Sequence, residues 1–318
     1  MLGTQLARRK VAVIGAGLVG ATSAYAMIIS GMCSELVMID VNKDRARGEM
    51  LDLMHGASFV KPVKITAGDY KDAANADIVL IAAGANQKPG ENRLDLVIRN
   101  TEVFKEIIPR ICAVCPDALL LVVTNPVDIL TWVTLKVSGF HPSRVIGSGT
   151  VLDSSRFRRV LSDYLGLAAI SVHAHIIGEH GDTEVPVWSL ANVAGVPLAK
   201  FKRTVGNNIQ PLDKDRLFWE VKNAANEIIS GKGATYYAIG LAVRRIMEAV
   251  LRDENSILTV SSLLEGVHGI SGVCLSLPSI VNASGVSGVL ELPIDDGERQ
   301  QLLRSAETIK SVIDGLKL

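Results

Sequence analysis

Aromatic side chains supply only 4% of the 318 residues, and four cysteines (Cys33, Cys112, Cys115 and Cys274) are scattered over the whole length. So few thiols cannot staple a fold of this size. A disulfide scaffold is excluded, and a reducing compartment is the simplest home. Surplus charge is missing as well: Lys plus Arg and Asp plus Glu each total 33, so the net charge is zero. That balance gives no global attraction to nucleic acid or to an anionic membrane. Internal repeats, low-complexity tracts and long linkers are absent, and 48% apolar residues exclude intrinsic disorder. The uncharged run Val11–Ser34 follows Arg8-Arg9-Lys10 in the manner of a leader, but Gly15, Gly17, Gly20 and Gly31 interrupt it. It reads as a strand and a glycine turn rather than as a membrane span, so a soluble, cytoplasmic protein is expected.

What is present is a rhythm. At about 150 residues per domain the length suggests two domains. Short aliphatic runs recur at Val11–Ile14, Leu36–Ile39, Val63–Thr66, Ile78–Ala82, Leu119–Val123 and Val145–Gly147, without strict alternation. Strands buried on both faces of a parallel sheet have this composition. Helix-length stretches such as Gly20–Ser30 and Leu94–Cys112 separate most of them, so an α/β doubly wound parallel sheet is expected over residues 1–147. The third connection, Lys71–Ala76, is short. After Gly147 the pattern changes to an amphipathic helix at Asp153–Leu165, an alternating strand at Ile170–Ile177, and helices at Asp213–Ser230 and Ala234–Leu251. Strand-like runs follow at Ser256–Leu264, Ser271–Leu277 and Val286–Leu292, with a last helix from about Glu298. Residues 148–318 therefore read as a second, α+β domain.

Gly15-Ala16-Gly17-Leu18-Val19-Gly20 sits between the first strand and the first helix. In a Rossmann-type sheet Gly15 permits the tight turn, Gly17 lets the backbone approach a pyrophosphate, and Gly20 allows close helix–strand packing. The helix N-terminus then faces the phosphates. Asp40 ends the second strand, 20 residues after Gly20, where a carboxylate can accept from ribose hydroxyls. Val41 follows with no arginine for a 2′-phosphate, so NAD is favoured over NADP.

The fourth strand runs into Gly84–Arg93, a glycine- and proline-containing loop at the edge where such sheets bind ligands. Gln87 and Arg93 on it offer a neutral donor and a cation. Asn125, in Thr124-Asn125-Pro126, either lines the site or caps a turn. His180 lies in a polar turn, Gly178-Glu179-His180-Gly181-Asp182, where an imidazole can exchange a proton near neutral pH. Asp153 and Arg156 are three apart on one helix face, either as a plain surface ion pair or as an acid for the imidazole beside a fork for a carboxylate.

With these motifs the chain resembles the L-lactate dehydrogenases of the lactate/malate dehydrogenase family, from Lys10 to the C-terminal helix. Its signatures are Gly15–Gly20, Asp40, Gly84–Arg93, Thr124-Asn125-Pro126, Asp153–Arg156, Gly233-Ala234-Thr235 and, most specific, Ile177–Asp182. The resemblance implies hydride exchange between NADH and a 2-keto acid, with His180 as proton donor and acceptor and Asp153 orienting it. It implies that Arg156 binds the substrate carboxylate and that Arg93 polarises the carbonyl. Asn125 would assist both substrate and cofactor, and Thr235 would pack near substrate and nicotinamide. Gln87 would face the substrate side chain, where a neutral amide favours pyruvate over oxaloacetate. In bacterial members an Arg and a His matching Arg158 and His173 form an inter-subunit fructose 1,6-bisphosphate site, and a homotetramer is implied. No metal is expected: His173 and His175 share a strand face, but no third ligand stands nearby. Cys112 and Cys115 lack the context of a redox pair. Malate dehydrogenase, and a noncatalytic dinucleotide-binding structural protein, remain the alternatives.

Overall fold

The computed structural model describes residues 9–85, 93–202 and 212–317. The first half lays down β1 (Lys10–Ile14), α1 (Leu18–Ser30), β2 (Glu35–Ile39), α2 (Lys43–His55), β3 (Lys64–Ala67), β4 (Ile78–Ile81), α3 (Arg93–Val114), β5 (Leu119–Val122), α4 (Val127–Ser138) and β6 (Val145–Gly147). There follow α5 (Val151–Leu165), β7 (Val172–His173), β8 (Ile176–Ile177), β9 (Val185–Pro186), β10 (Asn192–Val193), β11 (Val196–Pro197), α6 (Lys214–Lys232) and α7 (Tyr237–Leu251). The chain closes with β12 (Ser256–Leu258), β13 (Ser261–Glu265), β14 (Ser271–Ser276), β15 (Ser279–Asn282), β16 (Gly285–Val289) and α8 (Asp296–Asp314).

Among the described residues eight strands form one sheet in the order β14-β13-β6-β5-β4-β1-β2-β3. The pairs from β3 to β6 are parallel, whereas β13 joins β6 antiparallel. Strand residues alternate between two apolar layers, as the period of two requires. Ala12, Ile14, Val37, Ile39, Val79 and Ile81 pack with Phe104, Ile108 and Leu130 from α3 and α4. Val11, Val13, Leu36, Met38, Ile78 and Leu80 pack with Met27 of α1 and with Val243, Ile246 and Met247 of α7. Both faces are covered, which is why these strands carry no polar face. A separate core around Phe157, Leu161, Leu217 and Val221 joins α5 to α6.

The strand and helix expectations for residues 10–165 correspond to observed elements, with ends shifted by up to two or three residues. Between β3 and β4 the short connection holds only a 3-10 turn, Tyr70–Ala73. Later segments differ more. The expected strand Ile170–Ile177 is three pieces: a 3-10 turn at Ala169–Ser171, then β7 and β8, which pair with different partners, β10 and β9. The expected strand Ser256–Leu264 is likewise split, because β12 pairs with β15 while β13 extends the large sheet. Alternation continues across the first break and a mixed apolar and hydroxyl-bearing run across the second, so the pattern could not reveal a change of sheet. Helix α6 runs through Gly231 and ends at Gly233, whose φ of 85° supplies the left-handed cap. Helix α8 begins at Asp296 under a reciprocal cap between Asp295 and Glu298. Among the described residues no helix is long and apolar enough to cross a membrane.

Candidate active site

Because β1, β2, β4, β5 and β6 run parallel, the residues following them gather at one edge of the sheet, the position of a ligand crevice. At that edge Gly15 has φ 99°, and a Cβ there would stand 2.6 Å from the Ala83 nitrogen; at Gly20 it would stand 1.9 Å from the Gly15 carbonyl oxygen. Both positions therefore exclude any larger residue. Gly17, the N-cap of α1, faces open space instead, which leaves its backbone approachable by a phosphate. Asp40 immediately follows β2, with Oδ2 accepting from the Ala16 N–H at 2.7 Å and Oδ1 from the Asn42 N–H at 2.8 Å. The carboxylate thus braces the glycine turn across from it. Glycine turn, open N-cap and strand-end acid fit a dinucleotide.

Asn100, fully buried in α3, ties two further strand ends together. Its Oδ1 accepts from the Ala85 N–H at 2.8 Å and its Nδ2 donates to the Asn125 carbonyl at 3.0 Å. Asn125 itself is exposed at the edge, just ahead of a cis bond to Pro126. Gln87 lies outside the described residues, and Arg93 is the first residue of α3.

Helix α5 starts directly after β6 and carries Asp153 in its first turn. Its register against β8 is fixed by buried hydroxyls: Thr150 Oγ1 donates to the Ile176 carbonyl at 2.6 Å, and the Ile176 N–H donates to Ser154 Oγ at 2.9 Å. The chain leaving β8 is then pinned to β14, Gly178 and Ser276 exchanging backbone bonds of 2.8 and 3.0 Å. Ser305 of α8 accepts the Glu179 N–H at 2.8 Å, and Asp128 of α4 accepts the His180 N–H at 2.7 Å. The outcome is His180 Nδ1 at 2.6 Å from Asp153 Oδ2, while Asp153 Oδ1 accepts from Arg156 Nη1 at 2.9 Å. One carboxylate therefore holds both the imidazole and the guanidinium.

The electrostatics follow from that contact. The Asp153 carboxylate is the main cause that raises His180 from its ordinary 6.5 to about 9; burial opposes the rise, and Asp128 and Glu184 assist it. Burial works against ionising Asp153, yet His180 and Arg156 outweigh it and hold the carboxyl below its usual range. The pair is thus an imidazolium–carboxylate at neutral pH. Glu184 is pushed up to about 8 by burial, with the Asp153 charge adding to the rise.

Thr235 is half-buried at the corner between α6 and α7. Arg158, two residues beyond Arg156, faces elsewhere: its Nε donates to the Ala174 carbonyl at 2.9 Å. Burial, then the charges of Arg158 and His173, push His175 down to about 4, so a neutral imidazole lies beside the Arg158 guanidinium and His173, away from Asp153. Among the described residues no group of three His, Cys, Asp or Glu side chains is arranged to hold a metal ion. Three participants escaped the reading of the sequence: Asn100, Asp128 and Glu184. Asp128 left one signal, a lone acid in the apolar start of a helix, Val127-Asp128-Ile129-Leu130.

The family model described as lactate/malate dehydrogenase, NAD binding domain, matches residues 9–147, and that of the lactate/malate dehydrogenase alpha/beta C-terminal domain matches residues 150–317. An L-lactate dehydrogenase of Acetivibrio thermocellus is 57% identical over 310 residues, covering 98% of each chain. L-lactate dehydrogenase 1 of Clostridium acetobutylicum is 52% identical over 96% of this chain and 98% of its own. Among solved structures, a minor L-lactate dehydrogenase from Enterococcus mundtii in a ligand-bound form superposes with a TM-score of 0.93 at 41% identity, covering 98% of this chain and 99% of that one. A lactate dehydrogenase from a deep-sea metagenome library also gives 0.93, at 43% identity, over 96% and 98% of the two chains.

Proposed function

The chain belongs to the lactate/malate dehydrogenase family and carries its NAD-binding domain, and on that premise we propose that it interconverts pyruvate and L-lactate with His180 as the general acid and base. The observation that carries the proposal is the His180–Asp153–Arg156 cluster at the carboxyl edge of the nucleotide-binding sheet, with Nδ1 to Oδ2 at 2.6 Å and Nη1 to Oδ1 at 2.9 Å. Residues 1–147 would hold the cofactor and residues 148–318 the substrate.

Gly15, Gly17, Gly20, Asp40 and Asn125 would hold the dinucleotide. When bound, NADH supplies the hydride. His180, protonated below about 9, donates from Nε2 to the carbonyl oxygen of pyruvate as negative charge builds there. Asp153 occupies Nδ1, which fixes the ring and leaves Nε2 as the exchanging atom. In the reverse direction neutral His180 takes the hydroxyl proton. Among the described residues Arg156 spends only Nη1, on Asp153, which leaves its other N–H groups to pair with the substrate carboxylate. Arg93 would polarise the carbonyl, Asn125 would position it, and Thr235 would pack beside it. Gln87, being neutral, cannot compensate the second carboxylate of oxaloacetate, which leaves pyruvate the better substrate.

A cytoplasmic homotetramer is the form in which this activity is proposed, with fructose 1,6-bisphosphate as activator at Arg158 and His173. Support for the effector site is the proximity of the Arg158 guanidinium to His173 and His175, to which a second subunit would add its own cations. The deciding assay compares pyruvate with oxaloacetate, each with NADH or NADPH. Pyruvate with NADH should be the best pair. Equal or better turnover of oxaloacetate would favour malate dehydrogenase, and no turnover at all a structural role.

A further inference from the structure

Three carboxylates face His180, Asp153, Asp128 and Glu184, and among the described residues only Asp153 hydrogen-bonds its ring. Asp128 sits in the first turn of α4, three residues after Asn125, and is 1% exposed. Its Oδ2 accepts the His180 backbone N–H at 2.7 Å, and its Oδ1 accepts the Ser261 hydroxyl of β13 at 2.6 Å. One side chain thus joins the Asn125 turn, the His180 loop and the antiparallel extension of the sheet. We propose that Asp128, oriented by Ser261, is a positioning residue for the reaction: it fixes His180 relative to Asn125 and sets a second negative charge behind the imidazole. The inference rests on His180 being the proton carrier.

Two features argue against Asp128 being merely a structural acid. Burying a carboxylate is costly, and a neutral, well-packed polar group would join the same segments with less desolvation. The charge is also supported: the α4 N-terminus favours an anion, and two short hydrogen bonds stabilise the ionised form. Burial pushes Asp128 up to about 6, with the bonds from Ser261 and His180 pulling down, so it is mostly ionised at neutral pH. The groups facing His180 are Asp153, Asp128 and Glu184, with Arg156 behind Asp153 and Lys222 beside Glu184. Those facing Asp128 are Ser261, His180, Glu179 and the Cys274 thiol, the last pushed up by burial and by the Asp128 charge. Removing the Asp128 charge therefore lowers the pKa of His180 even though no atom of the imidazole loses a contact.

The test is an NMR titration of the labelled imidazoles in the ligand-free protein, with the His180 signal assigned by its loss in His180→Asn. In Asp128→Asn the His180 pKa should fall by about 0.5 or more, a threefold or greater change in its protonation equilibrium. The alkaline limb of pyruvate reduction should move the same way, with the KM for NADH unchanged. Ser261→Ala keeps the charge and loosens the loop, so it should leave the titration in place and lower kcat about three- to tenfold. An unmoved His180 titration in Asp128→Asn overturns the proposal. Wild-type kcat in Ser261→Ala overturns the positioning claim even if Asp128→Asn fails to fold. Failure of the underlying reading looks different: the wild-type protein would not reduce pyruvate, whatever its imidazoles do.

Discussion

Asp153→Asn is the substitution whose consequence can be worked furthest from the geometry. It removes the charge 2.6 Å from His180 Nδ1, the largest cause holding that imidazole at about 9. Burial then opposes the charged ring against only the weaker pulls of Asp128 and Glu184, so the pKa falls back toward its ordinary 6.5. At pH 7.5 a group of pKa 9 is about 97% protonated and one of 6.5 only about 9%, so roughly tenfold of pyruvate reduction is lost through protonation alone. The amide can also turn its NH₂ toward Nδ1, which misplaces the ring proton and brings the expected loss in kcat to about 10²–10³. Loss of reduced-nicotinamide absorbance, followed from pH 6 to 10, should show the alkaline limb displaced downward by about 2 pH units. A reduced rate with the limb unmoved would refute the reasoning, because Asp153 would then orient the ring without setting its charge.

Other perturbations address the remaining parts of the site. Gln87→Arg should shift kcat/KM toward oxaloacetate by about tenfold or more, since a guanidinium can pair with the second carboxylate; an unchanged ratio from steady-state kinetics would remove Gln87 from substrate selection. Arg158→Gln should abolish any stimulation of low-pyruvate activity by fructose 1,6-bisphosphate while leaving saturated turnover intact, and a surviving response would move the effector elsewhere. Glu184 has a folded pKa raised from 4.5 to about 8, so its contribution to stability is lost as pH rises through that window. His180, also raised, contributes fully below 6.5 and loses its contribution as pH passes about 9. Glu184→Gln should accordingly raise the Tm at pH 8 by about 2–4 °C, equivalent to about 1 kcal/mol, and calorimetry showing a lower Tm would contradict the burial argument.

The parallel sheet was legible because its strands are covered on both faces, so Val11–Ile14, Ile78–Ile81 and Leu119–Val122 carry an unbroken apolar signal. Which helix covers them was not. Val243, Ile246 and Met247 show only that α7 has an apolar stripe, and nothing local says that it lies on the first half of the chain beside Met27. The splits between β7 and β8 and between β12 and β13 were hidden for a related reason: strand-like composition runs on unbroken where the chain changes partners. Within the site, His180, Asp153 and Arg156 could be read from polar residues in compact motifs. Asp128, Ser261 and Asn100 could not, since their meaning lies in hydrogen bonds spanning 15 to 133 residues of sequence.

Proton transfer through His180 is tested most directly by comparing the wild-type chain with His180→Asn in NADH-dependent pyruvate reduction, with NADH affinity measured separately by fluorescence. A loss of about 10²–10⁴ in kcat with cofactor affinity retained is expected for removal of the general acid. Turnover within a few-fold of wild type would show that the proton travels by another route.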